Sequence, residues 1–365
     1  MHKDRLRSLL ERVGSSGFDA LAFVPGPNLF YLTGLSFHLS ERPIVALFPA
    51  GGPSAIVLPA FEAVKVEQAR IELEVFPYTD EEGYVPAFQT ACATLGLAGR
   101  TIGVEALAMR LLEARLLGRC APGSRLSAVE DVVAELRMRK DGHELAQMRR
   151  AIDVTEVGLR ATMQQVRVGM TERELAALVK IEMLRAGAEG MAFAPIVVAG
   201  PNGASPHATP SDRPVQSGET VTVDCGAVVG GYAADITRTF AIGALEPELA
   251  RVYEIVRQAN EAGRAAVGPG VPAERVDRAA RAVIERAGYG EYFIHRTGHG
   301  LGLETHEPPY IVAGNERSLE PGMTFTVEPG VYLPGRGGVR IEDDVLVTAG
   351  GGETLTTLAR DLILL

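Results

Sequence analysis

Two hydrophobic patterns alternate along the first third of the chain. The opening segment, MHKDRLRSLLERVG, carries apolar residues at helical spacing with charges between them. Four short apolar segments follow, DALAFVPG, NLFYLTGLSF, PIVALFPAGG and SAIVLP, each bounded by turn residues as strands are. Helical spacing returns in LLEARLLGRC and VEDVVAELRMRK. This alternation predicts a small α/β domain.

A break at Lys140, Asp141 and Gly142 precedes a long helical pattern from about His143 to Val166. A chain of 365 residues is also longer than a single hydrophobic core usually supports. We therefore expect two domains, residues 1–131 and residues 132–365, and a mixed α/β (α+β) fold overall.

The second part of the chain contains an internal repeat. GMTERELAALVKIEMLRAG (169–187) and GVPAERVDRAARAVIERAG (270–288) share their length, their terminal glycines and a helical pattern, at an offset of 101 residues. GETVTVD (218–224) and GMTFTVE (322–328) are alternating strands that end on a carboxylate, at an offset of 104 residues. The repeat predicts two copies of a helix, helix, hairpin unit related by a pseudo-twofold axis.

Each predicted hairpin carries two carboxylates, Asp224 and Asp235 in the first copy and Glu328 and Glu342 in the second. Aspartate is disfavoured inside apolar strands, although most acidic residues are simply solvated. A pseudo-twofold axis would bring all four together, and four ionised carboxylates need cations to share one buried site. The pattern indicates a site for two divalent metal ions.

Three of the seven histidines, His295, His299 and His306, lie in the glycine-rich segment HRTGHGLGLETHEPP. A single histidine is more often structural, but this cluster favours a site, and we take a fifth metal ligand from it. Oxygen ligands with one imidazole and no thiolate favour Mn²⁺, with Co²⁺ or Zn²⁺ as alternatives. Cys225 follows Asp224 on the opposite strand face and is left out of the site.

Composition narrows the function further. Apolar residues make up 46% of the chain, charged residues make up 22%, and no segment is apolar enough to span a membrane. The first residues lack the apolar core of a secretory signal, so we expect a cytoplasmic protein. The net charge of −10 disfavours nucleic-acid binding. Three cysteines without metal-ligand spacing are expected to be buried thiols.

The sequence resembles the Xaa-Pro peptidases, prolidase and aminopeptidase P, of the creatinase and methionine aminopeptidase superfamily, which has the pita-bread fold. NLFYLTG resembles the N-terminal domain of that family, and VDCG, DITRT, GHGLGLETHE, VEPG and RIEDD match its metal-site motifs in order. The resemblance implies that Asp224 binds the first ion, that Asp235 and Glu342 bridge both ions, and that His299 and Glu328 bind the second. It also implies His207, His295 and His306 as substrate-pocket residues, Arg340 as a partner of the bridging acids, and a homodimer.

Hydrolysis of the peptide bond before proline is the expected reaction. Two metal ions lower the pKa of a shared water, so that a bridging hydroxide is available near neutral pH. Glu328 is the expected proton shuttle, and His306 would hydrogen-bond the developing oxyanion or the substrate backbone. A non-metal or binding member of the same fold is the alternative, although all five ligand positions are intact.

Specificity within the proline-directed branch stays open between a dipeptidase and an aminopeptidase P that accepts longer peptides. A dipeptidase must recognise a free carboxylate, for which arginine is the natural partner. Some similar small prolidases carry that arginine four residues after the equivalent of His306, where this chain has Tyr310. We hypothesise that Arg42, in the loop HLSERPI, takes this role, although a solvated surface arginine fits the sequence equally well.

Overall fold

The computed structural model describes residues 2–365. The chain divides into two compact units between Arg137 and Met138. The sequence-based boundary after residue 131 lies inside the last helix of the first unit, Glu130–Arg137. That helix buries Val133 and contacts the N-terminal helix, which places it with the first unit.

The first unit is a mixed sheet with helices. Its strands follow the order β4-β3-β2-β1-β5-β6, with β1 antiparallel to β2 and parallel to β5. The helices are α1 (His2–Ser15), α2 (Pro27–Thr33), α3 (Val85–Thr94), α4 (Leu111–Cys120) and α5 (Glu130–Arg137), with a 3₁₀ helix at Ala60–Gln68. The strands are β1 (Ala20–Phe23), β2 (Val45–Pro49), β3 (Ala55–Pro59), β4 (Glu74–Tyr78), β5 (Thr101–Val104) and β6 (Arg125–Ala128).

One of the four apolar segments is a helix rather than a strand. NLFYLT forms most of α2, whereas the other three segments form β1, β2 and β3. Pro27 occupies the first turn of α2, where its missing N–H costs nothing, and Gly34 ends the helix with φ 75°. These signals at the two helix ends outweigh the short apolar run, which periodicity alone cannot assign.

The second unit contains the repeat. Its helices are α6 (Gly142–Met163), α7 (Glu172–Arg185), α8 (Pro247–Ala265) and α9 (Ala273–Arg286), with 3₁₀ helices at Gly200–Ala204 and Gly290–Tyr292. The strands of the first half are β7 (Gly190–Met191), β8 (Ile196–Ala199), β9 (Thr220–Cys225), β10 (Ala227–Val229), β11 (Tyr232–Ala233) and β12 (Ile236–Ala241). Those of the second half are β13 (Gly298–Gly300), β14 (Glu307–Ile311), β15 (Thr324–Val327), β16 (Gly330–Leu333), β17 (Gly337–Arg340), β18 (Asp343–Thr348) and β19 (Gly351–Thr354).

Both halves follow the predicted order of two helices and then strands. In each half an outer antiparallel pair, β9 with β12 or β15 with β18, surrounds an inner hairpin, β10 with β11 or β16 with β17. The halves are joined by backbone hydrogen bonds, because the Glu342 N–H donates to the Thr237 carbonyl at 3.1 Å. The repeated unit read from the sequence is therefore the organising feature of this unit.

Each half has its own apolar core beneath the strands. Val223 and Cys225 of β9 pack with Leu159 and Met183 in the first half, and Val256 and Ile284 belong to the core of the second. All three cysteines are buried free thiols, as expected, and Cys225 lies in this first core. Among the described helices, none combines the length and the apolar character needed to cross a bilayer.

Candidate metal centre

The four predicted carboxylates lie where the outer strand pairs open into the inner hairpins. Asp224 is on β9 opposite Thr237, and Asp235 immediately precedes β12. Glu328 immediately follows β15, and Glu342 immediately precedes β18. All four line one cavity of about 550 Å³ in the second unit. The repeat thus places one pair of acids from each half on a common cavity.

His299, on β13, brings a neutral imidazole to these acids. Its Nδ1 lies 3.1 Å from the Gly300 carbonyl, so this nitrogen donates its hydrogen and Nε2 carries the lone pair. Nε2 lies 3.3 Å from Glu328 Oε1 and 3.7 Å from Asp235 Oδ2. Burial lowers the pKa of His299 to about 3. A lone pair that faces two ionised carboxylates is unfavourable unless a cation or a proton lies between them.

Three of the four carboxyl groups have raised pKa values, which indicates too little positive charge around them. Burial raises the pKa of Asp235 and Glu342 well above their ordinary values, and neighbouring acids raise both further. Burial also raises the pKa of Glu328 to about 7, with Arg340 acting in the opposite direction. Without cations, these groups therefore cannot all be ionised near neutral pH.

The donor set fits divalent metal ions. One donor atom each from Asp235, His299 and Glu342 lies within 4.8 Å of the other two. Asp224 contributes a buried Oδ1 that has no hydrogen-bond partner among the described residues. Carboxylate oxygens with one imidazole suit cations such as Mn²⁺, Co²⁺ and Zn²⁺. The residues present can therefore hold the ions that the sequence predicts.

Arg340 and Thr237 hold two of the acids in place. Arg340 Nη2 donates to Asp224 Oδ2 at 2.6 Å, and Arg340 Nε donates to Thr237 Oγ1 at 3.1 Å. The Thr237 hydroxyl in turn donates to Glu342 Oε2 at 2.6 Å. Arg340 therefore reaches Glu342, an expected bridging acid, through Thr237, whereas its direct carboxylate partner is Asp224.

Tyr332 connects Arg340 to His295 in a chain of hydrogen bonds. His295 Nδ1 donates to the Arg296 carbonyl at 2.7 Å, which leaves Nε2 to accept from the Tyr332 hydroxyl at 2.8 Å. The same hydroxyl accepts from Arg340 Nη1 at 2.9 Å. Burial lowers the pKa of His295 to about 4, in keeping with this neutral ring. Both ring nitrogens of His295 thus have protein partners.

The other two pocket histidines are more exposed to solvent. His306 and His207 both line the cavity, and both are exposed. The His306 ring lies 4.0 Å from the His299 ring, centroid to centroid, in an edge-to-face arrangement. Burial lowers the pKa of His306, and the positive charge of Arg296 lowers it further. His306 is consequently a neutral donor or acceptor near neutral pH.

The two residues expected to decide peptide length have defined partners of their own. Arg42, in the first unit, pairs with Asp80 at 2.7 Å and with Glu41 at 2.5 Å. Tyr310 lies on β14, paired with His299 of β13, and its ring lies beneath the Arg296 guanidinium. Arg42 therefore has two carboxylate partners within the first unit.

Sequence reasoning missed Thr237, Tyr332 and Arg296. Thr237 follows Asp235 by two residues, a spacing that puts two strand residues on one face. Tyr332 lies on β16, the first strand of an inner hairpin, and Arg296 lies inside the histidine segment itself. A search for polar residues at strand spacing from each acid would have found Thr237.

Comparison with known proteins identifies both parts of the chain. Residues 146–349 match metallopeptidase family M24, and residues 5–139 match the creatinase/prolidase N-terminal domain. An Xaa-Pro dipeptidase of Pyrococcus horikoshii is 33% identical over 362 residues, which cover 99% of each protein. A prolidase structure from Thermococcus sibiricus has a TM-score of 0.96 at 37% identity, covering 100% of this chain and 99% of that one. An X-Pro aminopeptidase structure from Thermotoga maritima has a TM-score of 0.85 at 33% identity, covering 97% and 100%. The chain belongs to metallopeptidase family M24, with a creatinase/prolidase N-terminal domain and the pita-bread fold.

Proposed function

We propose that this protein is an Xaa-Pro dipeptidase that works with two divalent metal ions. One observation carries the proposal: a single cavity gathers four carboxylates around a neutral imidazole whose lone pair faces two of them. Similarity to an Xaa-Pro dipeptidase along 99% of the chain supports the substrate class. The proposed ligands are Asp224, Asp235, His299, Glu328 and Glu342.

Within this set, Asp224, Asp235 and Glu342 would hold the first ion, and Asp235, Glu342, His299 and Glu328 would hold the second. When bound, the ions supply a lowered water pKa and positive charge for the carbonyl oxygen under attack. Arg340 holds Asp224 in position, and Thr237 holds Glu342, through the hydrogen bonds described above.

Glu328 is proposed to move the proton. Its Oε1 accepts a hydrogen bond from Thr326 at 3.2 Å, which fixes the carboxyl group at the cavity wall. Hydrolysis adds the hydroxyl of water to the carbonyl carbon and a proton to the departing proline nitrogen, which must leave as an amine. A carboxylate on the cavity wall can take the first proton and deliver it to that nitrogen.

His306 is proposed to stabilise the carbonyl oxygen as it becomes negative. A neutral imidazole at the cavity wall can donate one N–H to that oxygen, and such donors contribute strongly where water is excluded. His207, which lines the same cavity, would donate a hydrogen bond to the backbone of the peptide substrate. His295 has both ring nitrogens bonded to protein, so its proposed contribution is to fix Tyr332 and shape the wall.

Release of free proline from Ala-Pro and Met-Pro tests this function. We expect hydrolysis that a chelator abolishes and that Mn²⁺ or Co²⁺ restores, with Ala-Ala as the control peptide lacking proline. Activity that survives verified metal removal would refute the metal assignment. Equal turnover of Ala-Pro-Ala and Ala-Pro, measured for both as release of the N-terminal alanine, would instead favour an aminopeptidase P. Mn²⁺ as the native metal, the homodimer and the cytoplasmic location stay predictions from the sequence.

A further inference from the structure

Arg296 presents a cationic side chain to the cavity. The residue lies between His295 and β13, lines the cavity, and is partly buried. Its guanidinium carbon lies 4.5 Å from the centroid of the Tyr310 ring. Stacking on an aromatic face holds a guanidinium in one plane and leaves its N–H edges free to donate.

The backbone around Arg296 is held firmly. Its carbonyl accepts from His295 Nδ1 at 2.7 Å, and the next residue, Thr297, donates from Oγ1 to the buried Asp277 at 2.7 Å. The Thr297 N–H also donates to the Ile311 carbonyl at 3.0 Å. The arginine side chain therefore extends from a fixed point on the cavity wall, and its stacking on Tyr310 restricts the position of the guanidinium.

Arg296 also differs from the other arginines considered for substrate binding. Arg340 lines the cavity but is ion-paired with Asp224, and Arg42 is ion-paired with Asp80 and Glu41. Within residues 2–365, the Arg296 guanidinium has neither a hydrogen bond nor an ion pair with the protein, only its stacking on Tyr310. Its donors are available to a ligand.

An Xaa-Pro dipeptide carries a free carboxylate on proline, and a longer peptide carries a neutral amide at the same place. A carboxylate that enters a cavity already lined by four acids needs a cationic partner, and the guanidinium fork matches it with two parallel hydrogen bonds. We propose that Arg296, stacked on Tyr310, binds the C-terminal carboxylate of the dipeptide and so determines the preference for dipeptides. This inference rests on the proposed Xaa-Pro hydrolysis.

The position of Tyr310 supports this role. Tyr310 lies four residues after His306, on the strand paired with His299, so the stacked guanidinium lies beside the cavity wall that carries both histidines. Arg296 and His306 both line this cavity, so a group bound to the guanidinium would lie in the cavity that His306 also faces. A proline carboxylate held there would place the preceding peptide bond toward the carboxylate cluster.

The test compares Ala-Pro with Ala-Pro amide, which removes only the negative charge. For Arg296→Gln we expect the KM for Ala-Pro to rise roughly 10- to 100-fold, as for loss of a charge-assisted hydrogen bond, with kcat little changed. The KM for Ala-Pro amide should stay within about twofold of wild type because that substrate offers no charge to bind. Inhibition by free proline should weaken in parallel, whereas inhibition by prolinamide should not.

Matched variants keep the outcome interpretable. Arg286→Gln removes one positive charge from the exposed face of α9 and should leave both KM values unchanged. Tyr310→Leu keeps the arginine but removes its stacking partner, so we expect a smaller rise in the same direction, and this variant also serves if Arg296→Gln does not fold. Equal KM changes on Ala-Pro and its amide would overturn the inference. A dipeptide-selective effect of Arg42→Gln alone would overturn it in favour of Arg42.

Failure of the proposed function gives a different result. If the wild-type, metal-loaded protein cleaves neither Ala-Pro nor its amide, Xaa-Pro hydrolysis itself is refuted, and the inference with it. If the wild-type protein cleaves both and Arg296→Gln shows no preference for the charged form, only the role of Arg296 is refuted.

Discussion

Removal of the metal ions should make the stability of this protein depend on pH through Glu328. In the metal-free protein, burial raises the pKa of this carboxyl group from an ordinary 4.5 to about 7. A raised pKa means that the folded state prefers the protonated form. The stabilisation is therefore fully present below pH 4.5 and is lost as the pH rises through 7. Metal-free protein should become less stable from pH 5 to pH 8.

The structure sets the size of this effect. A rise from 4.5 to about 7 corresponds to roughly 3 kcal/mol of unfolding free energy, at about 1.4 kcal/mol per pKa unit. For a unit of this size, about 1 kcal/mol shifts Tm by roughly 2 to 4 °C, so Glu328 alone accounts for a fall of roughly 6 to 12 °C. Asp235 and Glu342 also have raised pKa values and act in the same direction.

Thermal unfolding of chelated protein at several pH values between 5 and 8 measures the effect. Glu328→Gln is the matched control, because it keeps the shape of the side chain but removes the titrating proton. The wild-type Tm should fall more steeply with pH than the Tm of the variant, and metal-loaded wild type should show the smallest change. A metal-free Tm that stays level or rises over this range would show that the acids do not share the buried site described here.

Three further predictions test the groups around the acids. Thr237→Val removes the hydroxyl between Arg340 and Glu342 at nearly constant volume, and we expect metal affinity, measured by competition with a chelator, to fall about 10- to 100-fold. Tyr332→Phe removes the hydroxyl that bonds both His295 and Arg340, and should lower kcat more than it raises KM. The same variant should lose about 1 to 3 kcal/mol of unfolding free energy in chemical denaturation, because these buried groups are left without their hydrogen-bond partner. Lys140→Met breaks the buried ion pair with Glu307, 2.6 Å long, and should cost about 3 to 5 kcal/mol in the same assay, whereas Lys140→Met combined with Glu307→Leu should cost less.

The repeat made the arrangement of the acids predictable from sequence. Asp224 is the last residue but one of β9 and Glu328 immediately follows β15, whereas Asp235 and Glu342 each precede the returning strand. Strand pairing fixes the distance between the two acids of one half, and the backbone bond between Glu342 and Thr237 brings the halves together. The repeated sequence pattern was sufficient to predict where the acids lie, because both halves form the same arrangement of an outer strand pair around an inner hairpin.

Helix α2 shows where local pattern was insufficient. The segment NLFYLTG has the length and apolar content of a strand, and only Pro27 and Gly34 at its ends distinguish the helix. Tyr332 was missed for a different reason. Its importance comes from partners at sequence separations of 37 and 8 residues, His295 and Arg340, and neither is indicated by the apolar pattern around it.

The histidines of HRTGHGLGLETHE show most clearly why a cluster in sequence does not reveal individual roles. His295 uses both ring nitrogens within the protein, and His299 uses Nδ1 and directs Nε2 at two acids. The ring of His306 has no hydrogen bond to the described residues, so both of its nitrogens are available to a substrate. Each role depends on which group meets the second nitrogen, and that group lies on another strand or turn. Sequence spacing therefore predicts that these imidazoles gather, whereas the fold around them decides which ring nitrogens are bonded within the protein and which are left to bind something else.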